Sequence, residues 1–391
     1  MTKMNRALFK ALGASAALCT LAAAVQAADV ELYGQIDTGL LYIDAEDANP
    51  TLSMNPSNDI SSLWGIRGKE AFADGSYVRF VLESGYAGDT GMIANDSRAN
   101  ALFSRESLVF YGTSSGDEFA FGRTAGFLGS TGSFAQWMYT GMNPLASNSM
   151  DAALAGTFQS SPIMDNTITF KSRTFAGFNV LAQYSNNPTQ GTYDEADGFS
   201  RTQHVYALAA AYKSAGFSAS LVWQMIDQAN QAVGAIPAKA KPTHNIFAGA
   251  SKAFGDLRVL IAYQHLEDAR GVLGAPNTLN AADFGFNAAG SRDGFRADSF
   301  SIGAHHSLWG GRLHGSFKMI HASWTGDAGT AKNTSGSRYV GAVRYSYPLS
   351  KRTGLYVLGT YGVGTGMFDN TSKTKSVASR ATASAGISHK F

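Results

Sequence analysis

The chain has 391 residues and a formal net charge of +2, and 15% of its residues are charged, against roughly 25% in an average soluble protein. Glycine is abundant at 43 residues, aromatics reach 12% and proline is scarce at 9. That mixture suits many strands and tight turns better than helices, and a charge so near zero gives no electrostatic case for nucleic acid.

The first element is separable from the rest. Lys3, Arg6 and Lys10 form a basic start, residues 11–25 are apolar and small, and "VQA" (Val25, Gln26, Ala27) fits a small-residue cleavage site. This predicts a signal peptide over 1–27 and a mature domain over 28–391. The apolar run is short for an anchor, which needs roughly 20 residues. Cleavage removes Cys19, the only cysteine, and three basic residues, which takes the formal charge to −1. The exported chain then has no disulfide to rely on.

From there on alternation dominates. In "VELYGQIDTGL", Val30, Leu32, Ile36 and Leu40 share one face and Glu31, Gln35 and Asp37 the other. In "SYVRFVLESG", Val78, Phe80 and Leu82 oppose Arg79 and Glu83, and in "LRVLIAYQ", Leu257, Val259, Ile261 and Tyr263 oppose Arg258 and Gln264. Period two over runs this long predicts strands with one apolar face. Such runs fall at 30–43, 58–70, 76–86, 101–113, 117–123, 166–175, 177–186, 203–214, 216–226, 243–254, 256–267, 297–308, 311–324, 336–348, 353–364 and 379–391.

Their connections alternate between short turns, such as "FADG" at 72–75 and "WGG" at 309–311, and long polar loops, of which 124–165 is the longest. This predicts an all-β fold: a sixteen-stranded antiparallel transmembrane β-barrel, with turns at one rim and loops at the other. A lumen that wide cannot be filled by side chains, so the polar face lines water and the apolar face meets lipid. Tyr33, Tyr86, Tyr184, Tyr263, Trp324, Tyr345, Tyr347 and Tyr361 near strand ends suit interfacial girdles. A β-sandwich would explain the alternation but not the regular short and long connections.

Several segments resemble the Gram-negative general porins, in particular the sixteen-stranded trimeric type of β-proteobacteria. "VELYGQIDTGL" is similar to the family's first strand, "SLWGIRGKEAFADGSYVRFVLESG" to its second and third, and "LFSRESLVFYG" with "FAFGRT" to its fourth and fifth. "RYVGAVRYSYPLSKRTGLYVLGTYG" resembles its fourteenth–fifteenth hairpin and "GISHKF" its terminal strand. The resemblance implies a homotrimer of channels in the outer membrane, among lipid and lipopolysaccharide. It also implies insertion by the barrel-assembly machinery, with Phe391 as the sorting signal. It implies a third loop, here 124–165, folded into the lumen, where wall bases and loop acids sort small hydrophilic solutes.

The expected pore-lining charges are Arg67, Arg79, Arg105, Arg123, Lys171, Arg173 and Glu83, with Asp37 as a further candidate; Arg67, Arg105 and Arg123 lie in family-like motifs. The loop departs from the acidic tip of enteric relatives: 124–165 carries Asp151 and, at its edge, Asp165. Basic walls facing few loop acids predict a weak anion preference. Alternatives are a substrate-selective porin, hinted at by Trp137 and Tyr139 in the loop, and a structural or adhesive barrel. No metal, cofactor or catalytic motif is expected: His305 and His306 fall on opposite strand faces, "GVGTG" at 362–366 enters no helix, and no serine pairs with a histidine in a recognisable triad.

Overall fold

A computed structural model describes residues 29–46, 48–93, 101–129, 132–135, 157–186, 202–228, 238–269, 285–287, 290–369 and 379–391. The expected signal peptide and most of the third loop, with Trp137, Tyr139 and Asp151, lie outside them. The chain forms β1 (Asp29–Ala45), β2 (Thr51–Pro56), β3 (Leu63–Ala71), β4 (Tyr77–Gly85), β5 (Glu106–Gly112), β6 (Glu118–Ala125), β7 (Ile163–Lys171), β8 (Phe178–Asn186) and β9 (His204–Ser214). It continues through β10 (Phe217–Asp227), β11 (Thr243–Phe254), β12 (Leu257–Ala269), β13 (Phe295–Leu308), β14 (Gly311–Trp324), β15 (Ser335–Pro348), β16 (Thr353–Gly366) and β17 (Arg380–Lys390). Every pairing is antiparallel, and β17 returns to β1 in the register Gln35↔Lys390 to Ala45↔Arg380, which closes the barrel.

The seventeen segments make sixteen barrel strands, because β2 and β3 pair with successive parts of β1. The sequence pattern places a loop at 44–57 and one strand at 58–70; the structure divides that strand differently. Residues 57–62 leave the ladder: Ser57 takes φ 61°, the Asp37 amide donates to Ser62 Oγ at 2.9 Å and Asn55 Nδ2 donates to Asn58 Oδ1 at 2.6 Å. Side chains take over the bonds of a regular ladder, and polar alternation alone does not reveal that exchange. Likewise β5 begins at Glu106 rather than 101, since Ser104 O turns to accept from Arg123 Nε at 2.8 Å.

The closing seam is narrow by design of sequence. Gly39 faces Gly386 across it, and Tyr356 of β16 passes over Gly386 to donate to Asp37 Oδ1 on β1 at 3.0 Å. Phe391 extends the ladder by one step: its N–H donates to Gly34 O at 3.0 Å, and Gly34 N–H returns the bond to Phe391 O at 3.2 Å. The bare Gly34 leaves room for the Phe391 ring.

Outer-face residues such as Val109, Phe121, Ile168, Leu208, Leu221, Ile261, Ile302 and Val357 are all exposed. An apolar belt running round the whole barrel is a lipid-facing surface, not a water-facing one. Two residues expected in the interfacial girdles belong elsewhere. Tyr33 points into the lumen and donates to Glu83 Oε2 at 3.0 Å. Trp324 is buried, stacked on Phe286 with centroids 4.8 Å apart; residue type alone does not distinguish an aromatic turned inward from one turned out. The "GVGTG" stretch is the end of β16, where Gly362 and Gly364 leave space on the inner face for Arg338 and Phe368.

Candidate functional site

The inner wall is not uniformly polar. Val81, Leu108, Phe110, Ala120, Leu181, Ala207, Ala209, Val222, Phe247 and Leu260 form a buried apolar cluster across β4–β12, together with Phe127, Leu128 and Phe134 of the third loop. Phe158 packs against the same cluster. The described ends of that loop therefore lie inside the barrel, seated on a wall whose apolar character suits the seat. Its two legs are joined by Ser161 N–H to Leu128 O at 2.9 Å and Gly126 N–H to Pro162 O at 3.1 Å.

Polar anchors fix the loop further. Glu106 on β5 accepts from Thr124 Oγ1 at 2.7 Å and from the amide and hydroxyl of Ser133 at 2.7 and 2.9 Å. Gln224 on β10 bonds Ser161 Oγ. Gln264 on β12 accepts from the Gln159 amide at 2.7 Å and donates to the Gln159 carbonyl at 2.8 Å. The described loop residues thus run along the wall from β5 to β12, and Phe158 reaches toward Lys318 of β14.

The expected pore-lining charges are not gathered into one open cluster. Arg67 pairs with Glu31 at 2.7 Å, both half-exposed. Arg79 pairs with Glu118 at 2.8 Å and lies 3.4 Å above the Phe110 ring. Arg105 pairs with Glu83 at 2.6 Å, with both side chains largely buried. Arg123 pairs with Asp165 at 2.6 Å where Gly122 (φ 131°) and Asn166 (φ 53°) break the β6–β7 ladder. Lys171 stands opposite Glu118 on the inner face. Arg173 sits at the exposed β7–β8 turn, where its amide and the Ser115 hydroxyl hold the Asp117 carboxyl below the usual range. Asp37 is buried in the seam.

Such pairs cancel much of each other's field. Neutralising one whole pair, Arg79→Gln with Glu118→Gln, is therefore expected to leave the reversal potential of the channel unchanged in a salt gradient. Arg79→Gln alone moves it toward cations by exposing the Glu118 charge.

The opposite wall carries bases that are not among the expected pore-lining charges. Alternation on β14–β17 turns Arg312, Lys318, Arg338, Arg344, Arg380 and Lys390 inward. Among the described residues β13–β17 carry no carboxylate on that face. Lys318 Nζ reaches to 5.7 Å from the Phe158 ring of the loop. Gly362 makes room for Arg338, since a Cβ there would stand 2.8 Å from its guanidinium. The signal was available in "GRLHGSFKMI" and "SRYVGAVRYS", whose bases share one parity. His305 is part of this wall, its ring 5.4 Å from that of His314, while His306 points outward. Of these inward bases Arg312 and Lys390 are exposed, whereas Lys318 and Arg338 are buried in the wall.

The family description Gram-negative porin matches residues 14–366. An outer membrane porin of Bordetella pertussis is 27% identical over 410 aligned positions, covering 98% of this chain and all of that protein. An anion-selective porin from Comamonas acidovorans has a similar solved structure, with a TM-score of 0.64 and 20% identity over 93% of this chain and 100% of the other. OmpT of Vibrio cholerae in its trimer form superposes with a TM-score of 0.57 at 14% identity, over 94% of this chain and 100% of that one. The two structural likenesses speak to the fold.

Proposed function

Because the chain belongs to the Gram-negative porin family, a family of outer-membrane channels rather than enzymes, we propose that it works as a homotrimeric diffusion porin with a weak preference for anions. Passage is passive: the barrel supplies a polar path for small hydrophilic solutes and the third loop narrows it. The observation that carries the anion preference is the basic inner face of β13–β17, opposite the seated loop. Fixed charges of one sign along a low-dielectric wall raise the local concentration of counter-ions. The anion selectivity of the similar Comamonas porin and the trimer form of the similar Vibrio protein support the two finer parts of the reading.

Within it, Arg67, Arg79 and Lys171 are lumen charges balanced by acids, whereas Glu83, Arg105 and Arg123 hold the wall beneath the loop. Asp151 is the acid the central loop contributes. Residues 1–27 direct export, Phe391 is read by the assembly machinery, and the outer belt meets lipid and lipopolysaccharide.

The test is single-channel recording of the refolded mature protein under a potassium chloride gradient. Conductance steps grouped in threes and a reversal potential on the chloride side are expected. One charge a few ångströms from a passing ion is worth about 1 kcal/mol in water, so removing an exposed inward base by Lys390→Gln moves the reversal potential measurably toward zero. A cation-side potential overturns the anion preference, and isolated single steps overturn the trimer.

A further inference from the structure

A concave cavity of about 750 Å³ opens on the inner wall at the rim of short turns, beneath the β13–β14 and β15–β16 connections. Short turns mark the periplasmic rim of such barrels, so this is the periplasmic vestibule. Arg312, His314, Arg344, Lys351, Arg352 and Lys390 line it, interspersed with serine and threonine hydroxyls. The one carboxylate in its wall is Asp59, which is already engaged: it pairs with Arg344 Nη2, and Arg344 Nη1 lies 3.2 Å from His314 Nε2. That triad ties the irregular 57–62 stretch to β14 and β15 and holds one side of the cavity in place.

The remaining cations are differently placed. Arg312, Lys351, Arg352 and Lys390 are exposed, and none makes an ion pair with a described residue. Four like charges around one hollow repel each other, and Asp59 is the one acidic side chain that lines it. A ligand with several negative groups relieves that repulsion at several points at once. A monovalent anion meets one cation at a time, and exposed pairs of that kind are weak. Guanidinium groups favour planar oxyanions that accept two hydrogen bonds together.

We infer that this vestibule is a holding site for small multivalent oxyanions, compounds bearing two or more carboxylate or phosphate groups, distinct from the passage beside the third loop. The inference rests on the anion-preferring reading given above but makes a separate claim. A basic wall alone favours any anion in proportion to its charge, from either side. A holding site at one rim retains multivalent anions from that side and slows the chloride current while they stay.

Citrate is the probe, with acetate as the monovalent control, applied to single oriented channels in potassium chloride. Citrate on the short-turn side is expected to lower the chloride current with a half-blocking concentration at least tenfold below that on the long-loop side; acetate shows no block at equal ionic strength. Lys351→Gln with Arg352→Gln, both in an exposed turn, raises the half-blocking concentration tenfold or more. Should that variant fail to fold, Arg312→Gln carries the same expectation. Absence of block, equal block from both sides, or block unaltered in the folded variants overturns the holding site. A chloride-side reversal potential without block leaves the anion preference standing and removes this site alone, whereas a cation-side potential with side-dependent citrate block does the reverse.

Discussion

Gly39→Val is expected to yield no heat-modifiable barrel on refolding in detergent, while Gly341→Val refolds as the parent chain does. A Cβ on Gly39 would stand 2.3 Å from Ala385 O and 2.7 Å from the Gly386 Cα. Both neighbours are backbone on the strand that closes the barrel, so the strain is relieved only by parting β1 from β17. Parting them opens two unpaired edges, each backbone group of which costs several kcal/mol in hydrocarbon. It also withdraws the Tyr356–Asp37 bond that crosses the seam. Gly341 is the matched control: it lies in β15, on the outer face, and an added Cβ meets nothing within 4 Å. Comparable folded yields of the two variants in gel-shift electrophoresis would defeat this account of the seam.

The second large effect concerns the sieve. Gln224→Leu together with Gln264→Leu removes the bond to Ser161 and both bonds to the Gln159 backbone. At about 1 kcal/mol for each lost bond, the docked loop loses on the order of 2–4 kcal/mol. Since 1.4 kcal/mol is a tenfold change in population, the undocked loop becomes more frequent by one to three orders of magnitude. The expected record is a noisier open channel with a higher mean conductance and faster entry of larger neutral sugars in liposome swelling. The apolar seat on which Phe127, Leu128, Phe134 and Phe158 rest remains, so the barrel itself still folds. Glu106→Ala acts on the other leg of the loop and adds to the effect. Quiet channels of parental conductance in the double variant would show that the apolar seat alone holds the loop.

The barrel was legible in the sequence because its cause is local. Leu257, Val259 and Ile261 must meet lipid while Arg258 must not, and a period of two records that along one strand. Strand number and the sites of short turns follow from the same pattern. The break at 57–62 was not legible, since the pattern puts Asn55 in a loop and Asn58 and Ser62 in a strand, and only Asp37, far away in sequence, shows why that stretch leaves the ladder. The pairing of Arg79 with Glu118 and of Arg105 with Glu83 is hidden in the same way: each base was visible and its neutraliser was on another strand. The inner apolar seat was the least expected feature. Phe110, Phe247 and Leu260 occupy positions that alternation assigns to the wall facing water, and only the loop that covers them explains their chemistry. Conversely, Lys318, Arg338 and Arg380 could have been assigned to the lumen by parity alone, had the basic residues of the last strands been sorted by face.

The clasp between Gln264 and the third loop is made entirely through the amide and carbonyl of Gln159. The glutamine side chain serves as a single stitch of sheet, and what it grips is a feature every residue except proline possesses. This one clasp therefore does not depend on the identity of residue 159. Over evolutionary time the scaffold that carries the loop and the chemistry the loop presents can be altered independently, so a lineage exposed to different nutrients or toxins can retune its filter by substitution without having to rebuild the support.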